Sequence, residues 1–196
     1  MTQLIKIKAQ DGYDIHGFEW RLPSNQLAPQ SKSRDVVIIN PATSVRCRYY
    51  FRFAQYLFDQ GYDVISYDYR GIGASKPKSL RGFYASWVVW GEQDFEAVLQ
   101  DTAKRYAHQK IFVVGHSIGG VLIGLAPSNH LISRIFTMGS QQAYWPDYLA
   151  GHKLGMVLKW HGAMPLIATA VGYLPAERLG WMEDTPKQVA LNWARM

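Results

Sequence analysis

Ser117 lies between two glycines in the stretch Gly115-His116-Ser117-Ile118-Gly119, a Gly-x-Ser-x-Gly spacing. A serine hydroxyl is a weak nucleophile unless it is lifted out of the backbone into a crevice, beside a base and beside donors for developing negative charge. The flanking residues supply the lift. Ile111 to Val114 form a short apolar run, the pattern of a strand buried on both faces, and Val121 to Leu125 read as a helical segment directly after the motif. A sharp strand-to-helix turn crowds the backbone, so small residues two before and two after the serine let the turn close. The helix that follows turns its first N–H groups toward the serine, where an oxyanion would meet donors and the positive end of the helix dipole. A glycine-rich turn accounts for the glycines but not for the strand and helix around them. A phosphate cradle would need a Gly-Lys-Ser/Thr ending, which the stretch lacks.

The 196 residues are 48% hydrophobic and 14% aromatic, enough for one sizeable core in one globular unit. The net charge of +6 is spread along the chain, and only Arg46, Arg48 and Arg52 approach a cluster, so no nucleic-acid partner is expected. The single cysteine, Cys47, cannot form an internal disulfide, and no Cys/His spacing points to a metal. The N-terminus alternates rather than offering the apolar stretch of a signal peptide, so the chain is expected in the cytoplasm. The longest weakly polar run, Gly162 to Pro175, falls short of the roughly 20 residues a bilayer needs, and no membrane span is expected.

The elements that must position Ser117 follow in order. Leu4, Ile5 and Ile7 mark a strand, Asp11-Gly12 a turn, and Tyr13 to Arg21 a second strand, together an N-terminal hairpin. Leu22 to Arg34 reads as a surface loop. Asp35 to Asn40 is a buried strand, and Ser44 is placed to cap a helix over Val45 to Gln60. Val64 to Tyr67 is the next strand; its exit, Asp68 to Ser75, starts like a dinucleotide fingerprint at Gly71-Ile72-Gly73 and fails at Lys76. A helix over Trp90 to Tyr106 precedes the serine strand, and Ile132 to Met138 is a further strand. Strands alternating with helices imply parallel βαβ units, whose ligand crevice lies at the carboxyl ends of the strands. Asn40 to Thr43, Asp68 to Gly73, Ser117 and Gly139 to Gln141 all fall on that edge.

Element order and motif together resemble the α/β-hydrolase family over about residues 1 to 140. The fold this implies is a mostly parallel sheet with helices on both faces, incomplete at its C-terminal end, followed by a helical lid segment over 141 to 196. The resemblance makes Ser117 the nucleophile, Gly115 and Gly119 the elbow glycines, and the backbone N–H groups of Ile118 and Ala42 the oxyanion donors. Asn40-Pro41 stands where relatives commonly carry His-Gly. The family order is Ser, then acid, then His; of the candidates present, Asp147 with His152 or His161 sits in lid-like sequence without strands to fix it. His116 reads as structural, and Asp68 as a partner for Arg70 or for backbone N–H groups.

The resemblance implies a serine hydrolase acting on an ester, thioester or related small-molecule acyl compound through an acyl-enzyme, with no metal or organic cofactor. The chain is expected to be a fragment of a longer enzyme, leaving Ile132 to Met138 as an exposed sheet edge open to association. The alternative is a non-catalytic interaction protein that keeps the elbow for structural reasons. Arg48 and Arg52, one helical turn apart, are candidates for an anionic substrate group or for solvated surface. An amide substrate stays open.

Overall fold

The computed structural model describes residues 2–22, 34–140, 146 and 150–195. Strands β1 (Thr2–Lys8), β2 (Asp14–Trp20), β3 (Val36–Asn40), β4 (Asp63–Tyr67), β5 (Ile111–His116) and β6 (Ile132–Met138) form one sheet in the order β1-β2-β4-β3-β5-β6. The N-terminal hairpin is antiparallel and joins β4 antiparallel; β4, β3, β5 and β6 run parallel. The mostly parallel α/β sheet expected from the sequence is present. Most of the predicted loop after β2, with Gln141 and Asp147, lies outside the described residues.

Period-two alternation along β3 sends Val36 and Ile38 to one face and Val37 and Ile39 to the other, and all four are buried because both faces are covered. Helix α1 (Phe51–Asp59) covers the face that holds Val37, Ile39 and Trp20. On the opposite face a continuous helix runs from α2 (Trp87–Val89) through a π-helical stretch (Trp90–Phe95) into α3 (Glu96–Arg105). Trp90 is fully buried there, stacked on Tyr69 with ring centroids 4.7 Å apart. The π stretch also carries Asp94, whose buried carboxylate accepts from the Arg70 backbone N–H at 2.9 Å and from its Nε at 2.6 Å. Arg70 turns the rest of its guanidinium to Asp11, so the exit of β4 is tied to both the hairpin and this helix.

Two sequence expectations change here. Ser44 does not cap a helix: the segment after β3 starts as a 3-10 turn (Cys47–Tyr50) with Arg46 at its N-cap, and Ser44 takes a positive φ of 58°. The weakly polar run is part of a longer helix, in which α5 (Ala150–Val157), a π-helical stretch (Leu158–Ala163) and α6 (Met164–Val171) follow one another. Pro165 falls in the first turn of α6, where the widened π turn before it relaxes the hydrogen-bond ladder that a proline would break. Gly151–Val171 is 21 residues long with a mean hydropathy of 1.2, long and apolar enough to cross a membrane by length and composition, so the argument from length against a span fails.

A short hairpin, β7 (Tyr173–Leu174) with β8 (Thr185–Pro186), and helix α7 (Lys187–Ala194) complete the described chain. Met164 and Ala168 of α6 pack with Ala190 and Ala194 of α7 in a small core of their own, while Leu154, Leu158 and Leu166 face solvent. Val189 of α7 is buried in the main core, which anchors this segment to the sheet. At the other end, β6 pairs with β5 alone among the described residues, and Ile135, Phe136 and Met138 are 54%, 60% and 42% exposed.

Two stability consequences follow from the buried charges. Asp94→Ala leaves the Arg70 guanidinium half-compensated in the interior and is expected to lower unfolding stability by about 3–5 kcal/mol in urea titration. On β2, burial acts to raise the Glu19 carboxyl, but Arg105, Gln3 and Tyr106 outweigh it and hold the group below its ordinary value. A depressed carboxyl stabilises the fold above its unfolded pKa of about 4.3 and loses that contribution as pH falls through the folded value. Glu19→Gln should therefore cost on the order of 2 kcal/mol at pH 7 and progressively less as pH falls below the unfolded value, read from unfolding midpoints across that range.

Candidate active site

Ser117 sits at the end of β5 with φ 53° and ψ −123°, one of two non-glycine residues with positive φ among the described residues. Such a conformation costs on the order of 1–3 kcal/mol and persists only where the surroundings hold it. Several contacts do so. The Ser117 N–H donates to the Met138 carbonyl of β6 at 2.8 Å, and its carbonyl accepts from the Gly120 N–H at 3.1 Å. A Cβ on Gly115 would collide with the backbone of Gly120, and one on Gly119 would collide with the carbonyls of Asn40 and Pro41. The two glycines are therefore required by close approach.

The loop after β3 closes on this turn from the opposite side. Asn40, fully buried, donates from Nδ2 to the Gly119 carbonyl at 3.1 Å and accepts from the Tyr67 hydroxyl at 2.9 Å through Oδ1. The residue that departs from the His-Gly of relatives thus clamps the elbow. The helical segment expected over Val121 to Leu125 is mostly a 3-10 turn (Leu122–Leu125), preceded by one α-helical turn, α4 (Ile118–Val121). A single turn carries little macrodipole, so any donor effect here rests on the local N–H groups. Ile118, as the first helical residue, has an N–H with no intrahelical acceptor. The Ala42 N–H donates to the Tyr50 hydroxyl at 2.9 Å, and the same hydroxyl lies 2.8 Å from His116 Nδ1.

Asp68 acts as the sequence indicated for its backbone alternative, accepting from the N–H groups of Cys47 at 2.7 Å and Ala74 at 2.9 Å. Burial nevertheless pushes its carboxyl above the ordinary carboxylate value. Arg70 is not its partner. Burial also drives the Cys47 thiol far up, which removes it as a nucleophile.

The loops beside Ser117 are held from above by a segment that motif and spacing did not single out. Residues 177–186 strap across the loops that follow β3 and β4. Ser44 and Thr185 hydroxyls meet in the interior, Arg46 bridges Glu177 and Glu183, and Lys76 reaches Asp184 at 3.4 Å. Pro186 packs against Gly71. Of the candidate anion-binding arginines, Arg48 lies over the Phe18 ring at 5.3 Å and Arg52 is exposed; Arg46, not among those candidates, engages carboxylates of the 177–186 segment.

Among the described residues no histidine is hydrogen-bonded to Ser117. His116 directs Nδ1 to Tyr50, His161 Nδ1 lies 2.6 Å from the Ala194 carbonyl, and His130 and His152 are exposed. Among the same residues no group of three or more His, Cys, Asp or Glu is placed to hold a metal ion.

The fold has many counterparts among solved structures. A soluble variant of monoglyceride lipase from Saccharomyces cerevisiae superposes with a TM-score of 0.63 at 18% identity, covering 87% of this chain and 52% of that one. A highly thermostable carboxyl esterase from Bacillus coagulans gives 0.60 at 16%, covering 91% and 54%. The bottromycin epimerase BotH gives 0.58 at 17%, covering 98% and 72%. The chain thus spans about half the length of the esterase and the lipase. No curated protein sequence matches it significantly. Residues 31–132, just over half of the chain and including the elbow, match the family described as serine aminopeptidase, S33. With the strand order around Ser117 in agreement, the chain belongs to this family of α/β-hydrolases.

Proposed function

We propose that the chain carries the nucleophile half of a serine hydrolase that acts on an ester, thioester or related small-molecule acyl compound. The observation that supports this reading is the positive-φ backbone of Ser117, a costly conformation at a position where it raises the hydroxyl above the sheet edge. Ser117 Oγ would attack the acyl carbonyl carbon while a histidine takes its proton. The tetrahedral oxyanion would be held by the Ile118 N–H and by a donor from the loop Asn40–Thr43, and collapse would expel the alcohol or thiol to leave an acyl-enzyme that water then hydrolyses. The carboxyl esterase and monoglyceride lipase among the structural neighbours favour ester chemistry; the family description leaves an amide substrate open. No cofactor enters this scheme, and a cytoplasmic location is proposed with it.

A second reading is favoured by two observations: no described histidine is hydrogen-bonded to Ser117, and β6 presents an open edge among the described residues. On that reading the chain is a non-catalytic interaction protein that associates through this edge. A biotinylated fluorophosphonate applied to the protein as its source makes it separates the two readings, because covalent capture requires an activated Ser117 with its base in place. Labelling of the chain that is lost in Ser117→Ala supports the hydrolase; equal signal from both supports the interaction protein. Ser117→Gly should likewise abolish labelling while raising stability by on the order of 1 kcal/mol, since glycine removes the backbone strain. Thermal unfolding of the variant checks the second half of this expectation.

A further inference from the structure

We propose that the hydroxyl of Tyr50, oriented by His116, is the second oxyanion donor of this site in place of the Ala42 N–H, an assignment that rests on the hydrolase reading above. An oxyanion hole works by holding donors about 2.7–3.1 Å from where the charged oxygen will form. The acceptor position opposite the Ala42 N–H is already taken, because the Tyr50 oxygen lies there at 2.9 Å. Two oxygens cannot share that place. Either the phenol moves aside or it presents its own proton to the developing charge.

The packing decides against movement. Tyr50 is 5% exposed and belongs to the core cluster beneath α1. Its ring meets Tyr49 edge-on with centroids 5.1 Å apart and His116 with centroids 6.0 Å apart. It ends the 3-10 turn whose first residue, Cys47, is pinned by Asp68. A phenol oxygen has two acceptor positions and one proton. In the His116 tautomer that carries its proton on Nδ1, that N–H fills one position at 2.8 Å and the Ala42 N–H fills the other at 2.9 Å, which leaves the phenol proton to point away from both. Those two partners flank Ser117: His116 precedes it in the chain, and Ala42 lies on the loop that closes over Gly119. Burial pushes the phenol up to about 12, so the proton is present at neutral pH. Ala42 and His116 become positioning residues, and the donors to the oxyanion are the Ile118 N–H and the Tyr50 O–H.

The test compares rates of phosphonylation by the fluorophosphonate in wild type, Tyr50→Phe, His116→Asn and His116→Ala, with Ser117→Ala as the blank. Loss of one oxyanion donor is worth about 100-fold or more in rate. Tyr50→Phe is expected to label about 100-fold more slowly, with an unchanged half-saturating reagent concentration and a thermal midpoint lowered by the Ala42 N–H it leaves unpaired. His116→Asn places an amide N–H where Nδ1–H was and should keep most of the rate; His116→Ala should lose roughly tenfold, on the same scale of donor effects. If Tyr50→Phe labels as fast as wild type or faster, the hydroxyl is a plug over Ala42 and the proposal is overturned.

Should Tyr50→Phe fail to fold, replacing Tyr50 by 3-fluorotyrosine, a stronger acid of nearly the same shape, substitutes for it. A faster reaction then supports donation, and an unchanged one overturns it. If wild type takes no more label than Ser117→Ala, the hydrolase reading fails on its own. Binding of phenylphosphonate, followed by 31P NMR, then decides the donor. At least roughly tenfold tighter binding by wild type than by Tyr50→Phe supports it, on the same scale of donor effects; equal or absent binding overturns it.

Discussion

The whole arrangement depends on holding one serine backbone in a conformation that L-residues avoid. Ser117 at φ 53° is stable only because its neighbours leave no alternative: the Met138 carbonyl fixes its N–H, the Gly120 N–H fixes its carbonyl, and Gly115 and Gly119 allow strands and loops to approach to backbone contact. These constraints come from three different strands. The elbow can therefore exist only when β3, β5 and β6 are already paired in register, which links the formation of the sheet to the formation of the site.

That dependence explains why so much of the buried polar chemistry lies at the carboxyl edge. Asn40 joins the β3 exit to the elbow, Tyr67 joins Asn40 to β4, and Asp68 joins the β4 exit to the turn that carries Tyr50. Each group is out of water and partnered, as a buried polar atom must be. The loops are thereby as well determined as the strands. Across the top, the 177–186 strap adds ion pairs through Arg46 and Lys76, which are partly exposed and individually weak, together with the buried contact between Ser44 and Thr185. The strap binds by fit more than by charge.

The contrast between the two ends of the sheet has the same origin. The β3 side is sealed by helices on both faces, so its strand is uniformly buried, while β6 offers Ile135, Phe136 and Met138 to solvent. A parallel strand with one open edge and uncovered faces lacks the burial that normally stabilises such pairing. Because it presents the Met138 carbonyl to the Ser117 N–H, that edge is part of the architecture that holds Ser117.

Much of this was legible in the residues themselves. Alternation and apolar runs located all six strands of the main sheet, the glycines at 115 and 119 identified the elbow, and the strand-helix order implied the crevice edge; these are local signals with a period or a spacing. The helix cap at Ser44, the length of the apolar helix and the role of Asn40 were not legible, since each is decided by what packs against it. Tyr50 is the clearest case. In the sequence it is one aromatic of the run Tyr49-Tyr50-Phe51; only the folded chain brings its hydroxyl between Ala42 and His116, which lie 8 and 66 positions away. Sequence determined where the chain turns and which faces are apolar, because those depend on neighbours along the chain. Tertiary structure decided which polar groups meet, because a hydrogen bond is set by distance in space, and no spacing along this chain encodes it.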